Sequence, residues 1–178
     1  EKRGASKPAP EEEEPKRMRA ESGSMLLDKL VKFAKEVDVA EVYSPPRVTL
    51  EAIKFGLKEG GAFDLTNGWD LSNKDEQQIV REYVKKHKPL VLIGSPECRM
   101  FSSLQNLSEW NVSKTKRLRK AKQHIRLCVE LYEEQRRVGR LFLHEHPKGA
   151  TSWKMDEVAE LAKAEGVRVV VADQCMYG

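Results

Sequence analysis

Cys98 stands just past a Gly94-Ser95-Pro96 turn that closes the apolar run Leu90-Val91-Leu92-Ile93. In an open α/β sheet, ligands bind outside the carboxyl ends of the strands. A thiol at that position is placed as a nucleophile would be. Adjacent positive charge favours the reactive thiolate, and Arg99 follows directly. A second apolar run, Leu141-Phe142-Leu143, ends in His144-Glu145-His146-Pro147. In extended chain His144 and His146 point to one face and Glu145 to the other. Glu145 is therefore a candidate functional carboxylate beside Cys98. The two histidines could share a metal with Cys98 or Cys175. His-x-His alone is not a zinc signature, and no metal site is assigned. A third run, Val167 to Ala172, ends in Asp173-Gln174-Cys175 and predicts a further polar strand end. Cys128 lies on the apolar stripe of a helix and reads as core.

Acidic residues near the second predicted strand supply another kind of site. Asp64 and Asp70 end or follow it, where an acidic side chain can accept ribose hydroxyls, and turn or cap roles explain an isolated Asp equally well. With Ser95 and Pro96 of the turn before Cys98, they are the candidate cofactor-binding residues. Trp69 and Trp153 lie in loops near strand ends and could stack on a base, although core packing is the stronger explanation for such residues. Lys114, Lys116, Arg117, Arg119, Lys120 and Lys122 form a dense basic stretch. Such a stretch is first of all a solvated helix face, and a lysine/arginine cluster is also the electrostatic footprint of nucleic-acid binding.

These residues need a scaffold, and 178 residues suffice for one domain of common size. A charged fraction of 34% against a hydrophobic fraction of 39% implies a modest core. The net charge is only +4 and is unevenly spread, with Glu11 to Glu14 acidic and the stretch at 114–122 basic. No run approaches the ~18 apolar residues of a membrane span. No secretory leader is visible, and three cysteines without a Cys-x-x-Cys pair suit reduced thiols in an intracellular, cytoplasmic or nuclear setting. The chain does not begin with Met, so a fragment or processed piece of a longer chain is expected.

Residues 1–24 are rich in Pro, Glu, Lys and Ser and predict a disordered linker. From residue 25 to 178 the pattern alternates. Helices are predicted over 25–37, 48–58, 74–87, 115–138 and 154–165 from apolar spacing at three and four. Strands are predicted over 40–43, 62–65, 90–93, 140–143 and 167–172, with Gly60-Gly61 as a helix stop and 102–113 as a long loop. Such alternation calls for a Rossmann-like α/β domain: a mostly parallel sheet with helices on both faces.

In motif detail the chain resembles the catalytic half of DNA cytosine-C5 methyltransferases. Their Pro-Pro-Cys-Gln-x-Phe-Ser motif is matched by Pro96-Glu97-Cys98-Arg99-Met100-Phe101-Ser102 at Pro, Cys, Phe and Ser. Their Glu-Asn-Val motif is similar to Glu145-His146-Pro147, and a Gly-Asp-Ile-like motif to Gly68-Trp69-Asp70-Leu71. The resemblance implies a methyltransferase-type fold, S-adenosylmethionine as cofactor, attack by Cys98 on C6 of a flipped cytosine, and a grip on the base edge by Glu145. The family's Phe-x-Gly-x-Gly loop, however, reads Tyr43-Ser44-Pro45-Pro46-Arg47 here, and proline has no N–H to offer a ligand. The Gln-x-Arg-x-Arg motif and the target-recognition domain are missing, so the resemblance implies an incomplete, C-terminally truncated domain.

Ser44-Pro45-Pro46-Arg47, the segment Gly94 to Ser102, His144-Glu145-His146-Pro147 with Ser152-Trp153, and Asp173 to Gly178 together resemble a module of copia-like retroelement polyproteins. What the two resemblances imply is a degenerate methyltransferase-like, nucleic-acid-associated module of a mobile-element polyprotein. Its partners would be nucleic acid and other polyprotein segments, with no membrane. The alternative is an active nucleic-acid cytosine-C5 methyltransferase with Cys98 as nucleophile.

Overall fold

The computed structural model describes residues 37–107 and 109–176. The linker expected over 1–24 and all but the last residue of the helix expected over 25–37 lie outside the described residues. Four strands, β1 (Val39–Val42), β2 (Glu59–Phe63), β3 (Val91–Gly94) and β4 (Leu141–His144), form one sheet in the order β2-β1-β3-β4. Every pairing is parallel. Four α-helices connect or follow them: α1 (Val48–Lys54), α2 (Lys74–His87), α3 (Val112–Arg137) and α4 (Asp156–Lys163). The expected α/β class with a parallel sheet is the observed one.

Strand alternation decides which helix covers which face. Ala40, Val42 and Leu92 point toward Val80 and Val84 of α2 and toward Leu127, Leu131 and Tyr132 of α3. Val39 and Ile93 point the other way, against Ala52 of α1. A second cluster under the loop after β3 joins Met100 and Phe101 to Ile125 of α3 and Val158 of α4. Each helix end has a local cause. Asn73 caps α2 by accepting from Asp75 N, and Asn111 caps α3 by accepting from Lys114 N. That second cap starts α3 three residues before the expected Thr115.

Two expectations are corrected. Gly60 and Gly61 do not stop a helix but lie inside β2. The helix ends earlier, at Lys54, where Gly56 with φ +74° breaks the turn. The run from Val167 to Ala172 is not a strand; it is irregular chain, with Val170 78% exposed. A β-branched run fits a pleated surface, but it becomes a strand only when its backbone meets a partner edge. Here β4 pairs only with β3 among the described residues. Asp173 therefore does not follow a sheet strand, and the expected third polar strand end is absent from the described sheet.

Candidate functional site

The strand order places β1 between β2 and β3, so the chain turns to opposite sides after β1 and after β2. The crevice outside the carboxyl ends at such a switch point is where doubly wound sheets take ligands. A cleft of about 640 Å³ lies there, with Tyr43 following β1, Asp64 following β2 and Ser95 following β3 on its wall. Trp69, Asp70 and Leu71 come from the loop after β2, and Glu97, Arg99 and Met100 from the loop after β3. The remaining wall is α3, through Arg117, Lys120, Ala121 and His124. That spacing of three, four and seven is one helical stripe.

Several groups in the cleft are held in particular states. Tyr43 has φ +56°, a left-handed conformation that a bulky residue adopts only when its surroundings enforce it. Its ring stacks on His124 at 4.8 Å. Its hydroxyl is buried with no hydrogen-bond partner among the described residues, and burial pushes the phenol well above its ordinary value. His124 Nε2 lies 3.1 Å from Ser72 Oγ. Burial first and the Lys120 charge second push this imidazole down to about 4, so it is neutral at pH 7. Asp70 accepts from Ser72 N at 3.0 Å and lies 3.9 Å from Lys120 Nζ. The Ser72 hydrogen bonds, with Lys120 a lesser cause, hold its carboxyl below the usual range. Asp64 accepts from Thr66 N and Thr66 Oγ1 at 2.9 and 2.7 Å, capping a short turn.

Of the candidate cofactor residues, the cleft thus gathers Asp64, Asp70 and Ser95. Pro96 is buried and is not among its lining residues. Cys98 is a half-buried free thiol between two lining residues, but it does not itself line the cleft. Glu145 is exposed, and its N–H donates to Gly94 O at 3.0 Å. Cys98 and Glu145 therefore follow neighbouring strands at the same sheet edge. Glu145 opens instead on a groove shared with His144, His146 and Trp153. Among the described residues no group of three or more ligating side chains is arranged to hold a metal. Cys128 is fully buried, and burial pushes its thiol up to about 12.

The basic stretch divides around α3. Arg117 and Lys120 face the cleft, while Lys116 and Arg119 line a shallow hollow beside Trp110. Lys122 lines a third hollow with Arg126. Lys114 Nζ donates to Gln105 O at 2.6 Å and sits 5.1 Å from the Trp110 ring centre, tying the loop before α3 to the helix. Sequence reasoning missed Tyr43 and His124 as cleft residues, and Ser72 as the residue that bonds to Asp70 and His124 from behind the lining. His124 was within reach, because it lies seven residues beyond Arg117 on the same stripe.

The turn after β1 is filled by the chain itself. Glu41 is fully buried and accepts from Arg47 N, Val48 N and Thr49 N at 3.1, 3.3 and 2.8 Å. It also accepts from the hydroxyls of Ser44 and Thr49 at 2.9 and 2.7 Å.

A pH dependence follows from the buried imidazoles. His144 packs against Tyr132, whose hydroxyl lies 3.2 Å from its Nδ1. Burial first, and then the neighbouring His146, push it down to about 4. His124 is lowered in the same sense. Between about 6.5 and 4 the unfolded chain binds protons that the folded one does not, so stability present above the unfolded value is lost as pH falls through this window. Urea midpoints should drop from pH 7.5 to pH 4.5, and His144→Phe should flatten the drop. A profile unchanged by that substitution would mean that His144 is not held neutral.

No known protein family, curated protein or solved structure matches this chain. No helix among the described residues is long and apolar enough to cross a membrane.

Proposed function

We propose that this domain is a methyltransferase-like module that binds nucleic acid without transferring a methyl group. It acts inside the cell as one segment of a mobile-element polyprotein. The observation that carries the reading is the exposed cationic surface of α3. Lys116, Arg117 and Arg119 are exposed. Among the described residues neither they nor Lys122 has a carboxylate within ion-pair distance. Charges left unneutralised by the fold are available for phosphates.

The turn after β1 supports the non-catalytic form. Its amide N–H groups at residues 47–49 are engaged by Glu41, and residues 45 and 46 are prolines. The residues present do not fit the way the resembled family approaches S-adenosylmethionine with bare backbone, and no step is routed through that cofactor. The placement of Cys98 and Glu145 on neighbouring strand ends favours the second reading, an active cytosine-C5 methyltransferase. Covalent, cofactor-dependent trapping of DNA containing 5-fluorocytosine, lost in Cys98→Ser, would establish that reading in place of ours.

The expected result for the binding reading is affinity for a single-stranded oligonucleotide that falls steeply with salt. Lys116→Ala/Arg119→Ala/Lys122→Ala should make the slope of log affinity against log salt shallower by about 2, given ~0.7 per neutralised phosphate on a single strand. Equal slopes for the parent and the triple variant would leave α3 an ordinary solvated helix and overturn the reading.

A further inference from the structure

We propose that the cleft at the β1/β3 switch point binds a nucleoside 5′-phosphate, with the phosphate against Arg117 and Lys120 and the ribose toward Asp64 and Asp70. This deepens the nucleic-acid reading and rests on it. It also replaces the sulfonium cofactor that the methyltransferase resemblance would place at this sheet edge.

The cleft's charges are equal in number and come from different elements, meeting where Lys120 Nζ lies 3.9 Å from Asp70. Asp64, Asp70 and Glu97 oppose Arg99, Arg117 and Lys120, so net charge does not select a ligand. Position does. The aspartates come from the β2 side, and Arg117 and Lys120 come from one stripe of α3. Each aspartate carboxylate makes its local bonds and still has lone pairs for hydroxyl donors, since an ionised carboxylate offers about four acceptor sites. A ribose supplies such donors. Arg117 is exposed and unpaired among the described residues, and Lys120 has only the 3.9 Å contact to Asp70. An anion with several acceptor oxygens suits both. Trp69 and the largely exposed Leu65 give an apolar surface for a base.

S-adenosylmethionine suits the site less well. It carries a sulfonium and an ammonium against one carboxylate, and it would bring net positive charge to the Arg117–Lys120 wall.

The test is calorimetric titration of the full chain with adenosine 5′-monophosphate, adenosine and S-adenosylmethionine. The nucleotide should bind, and the other two should bind at least about tenfold more weakly, since one charge-assisted hydrogen bond exceeds the ~1.4 kcal/mol that a factor of ten requires. Arg117→Ala/Lys120→Ala should abolish the preference for the phosphate, and Lys85→Ala/Lys86→Ala, at exposed positions of α2 outside the cleft lining, should keep it. Arg117→Gln, which preserves the side-chain stem, guards against a folding defect and should also lose it. A 5′-phosphorylated single strand displaced by the free nucleotide would mean that a strand end can fill the site. Nucleotide binding without such displacement would make the free nucleotide the occupant. Equal binding of adenosine, equal or tighter binding of S-adenosylmethionine, or no effect of the double variant would overturn the inference. Salt-dependent strand binding that ignores the 5′-phosphate, with no nucleotide binding, would overturn the inference and leave the nucleic-acid reading standing. Absence of both would end both.

Discussion

Gly94→Ala should destabilise the domain by about 3 kcal/mol, at the upper end of the range for overpacking a core. Gly94 closes β3 and faces α3. A methyl group there would fall inside the contact radius of the Tyr132 hydroxyl oxygen, 2.9 Å from Tyr132 Cζ and 3.3 Å from Cys128 Sγ. A flexible neighbour could swing aside, but Tyr132 is fully buried and stacks on Phe142 at 4.7 Å. Its hydroxyl also meets His144 Nδ1 at 3.2 Å. Moving the ring would disturb β4 as well as β3. For a chain of this length the loss corresponds to a fall in Tm of roughly 6–12 °C. Tyr132→Phe removes the colliding oxygen at the cost of one hydrogen bond, about 1 kcal/mol. The double variant should therefore lose clearly less than the sum of the two single ones, the signature of direct coupling. Additive losses, or a Gly94→Ala protein within 1 kcal/mol of the parent by urea unfolding, would contradict this packing.

That strand end shows what could be read in advance. The apolar run before Gly94 marks a buried parallel strand, and the strand is there. Helix α2 matches its expected bounds at both ends, because Ile79, Val80, Tyr83 and Val84 repeat at helical spacing and Asn73 supplies a cap. The rule that ligands meet strand carboxyl ends picked out Asp64, Asp70 and Ser95 because each follows a strand in sequence. It could not pick out His124, which reaches the cleft from a helix through tertiary packing. It also favoured Cys98 and Glu145 as a pair, yet Glu145 opens on a groove that Cys98 does not line. The Val167–Ala172 run failed for a related reason. Its β-propensity is local, and its pairing is not.

Glu41 is the position where local reading says least and the expected effect is largest. A carboxylate in the middle of the buried strand Val39-Ala40-Glu41-Val42 breaks the apolar pattern of a parallel strand. It is tolerated because five donors converge on it from Ser44, Arg47, Val48 and Thr49. Three are amide N–H groups at the start of α1, where the helix dipole also favours negative charge. Glu41→Ala leaves these donors facing a cavity, and each buried unsatisfied donor costs about 1–3 kcal/mol before water re-enters. The expected loss is about 4 kcal/mol, a fall in Tm of roughly 8–16 °C. Glu41→Gln should not restore it, because the amide keeps one oxygen but turns its own N–H donors toward other donors. Formate should recover part of the stability of Glu41→Ala, since a small carboxylate that binds only the folded state stabilises it by mass action. The parent should not respond, because its own carboxylate already fills the site. A Glu41→Gln protein as stable as the parent, or equal responses of parent and Glu41→Ala to formate, would mean that the negative charge at Glu41 does not hold the β1–α1 turn together. The same substitution bears on function. If the turn is built around Glu41, its amides are structural, and ligand recognition at this sheet edge falls to side chains of α3 and of the loops after β2 and β3.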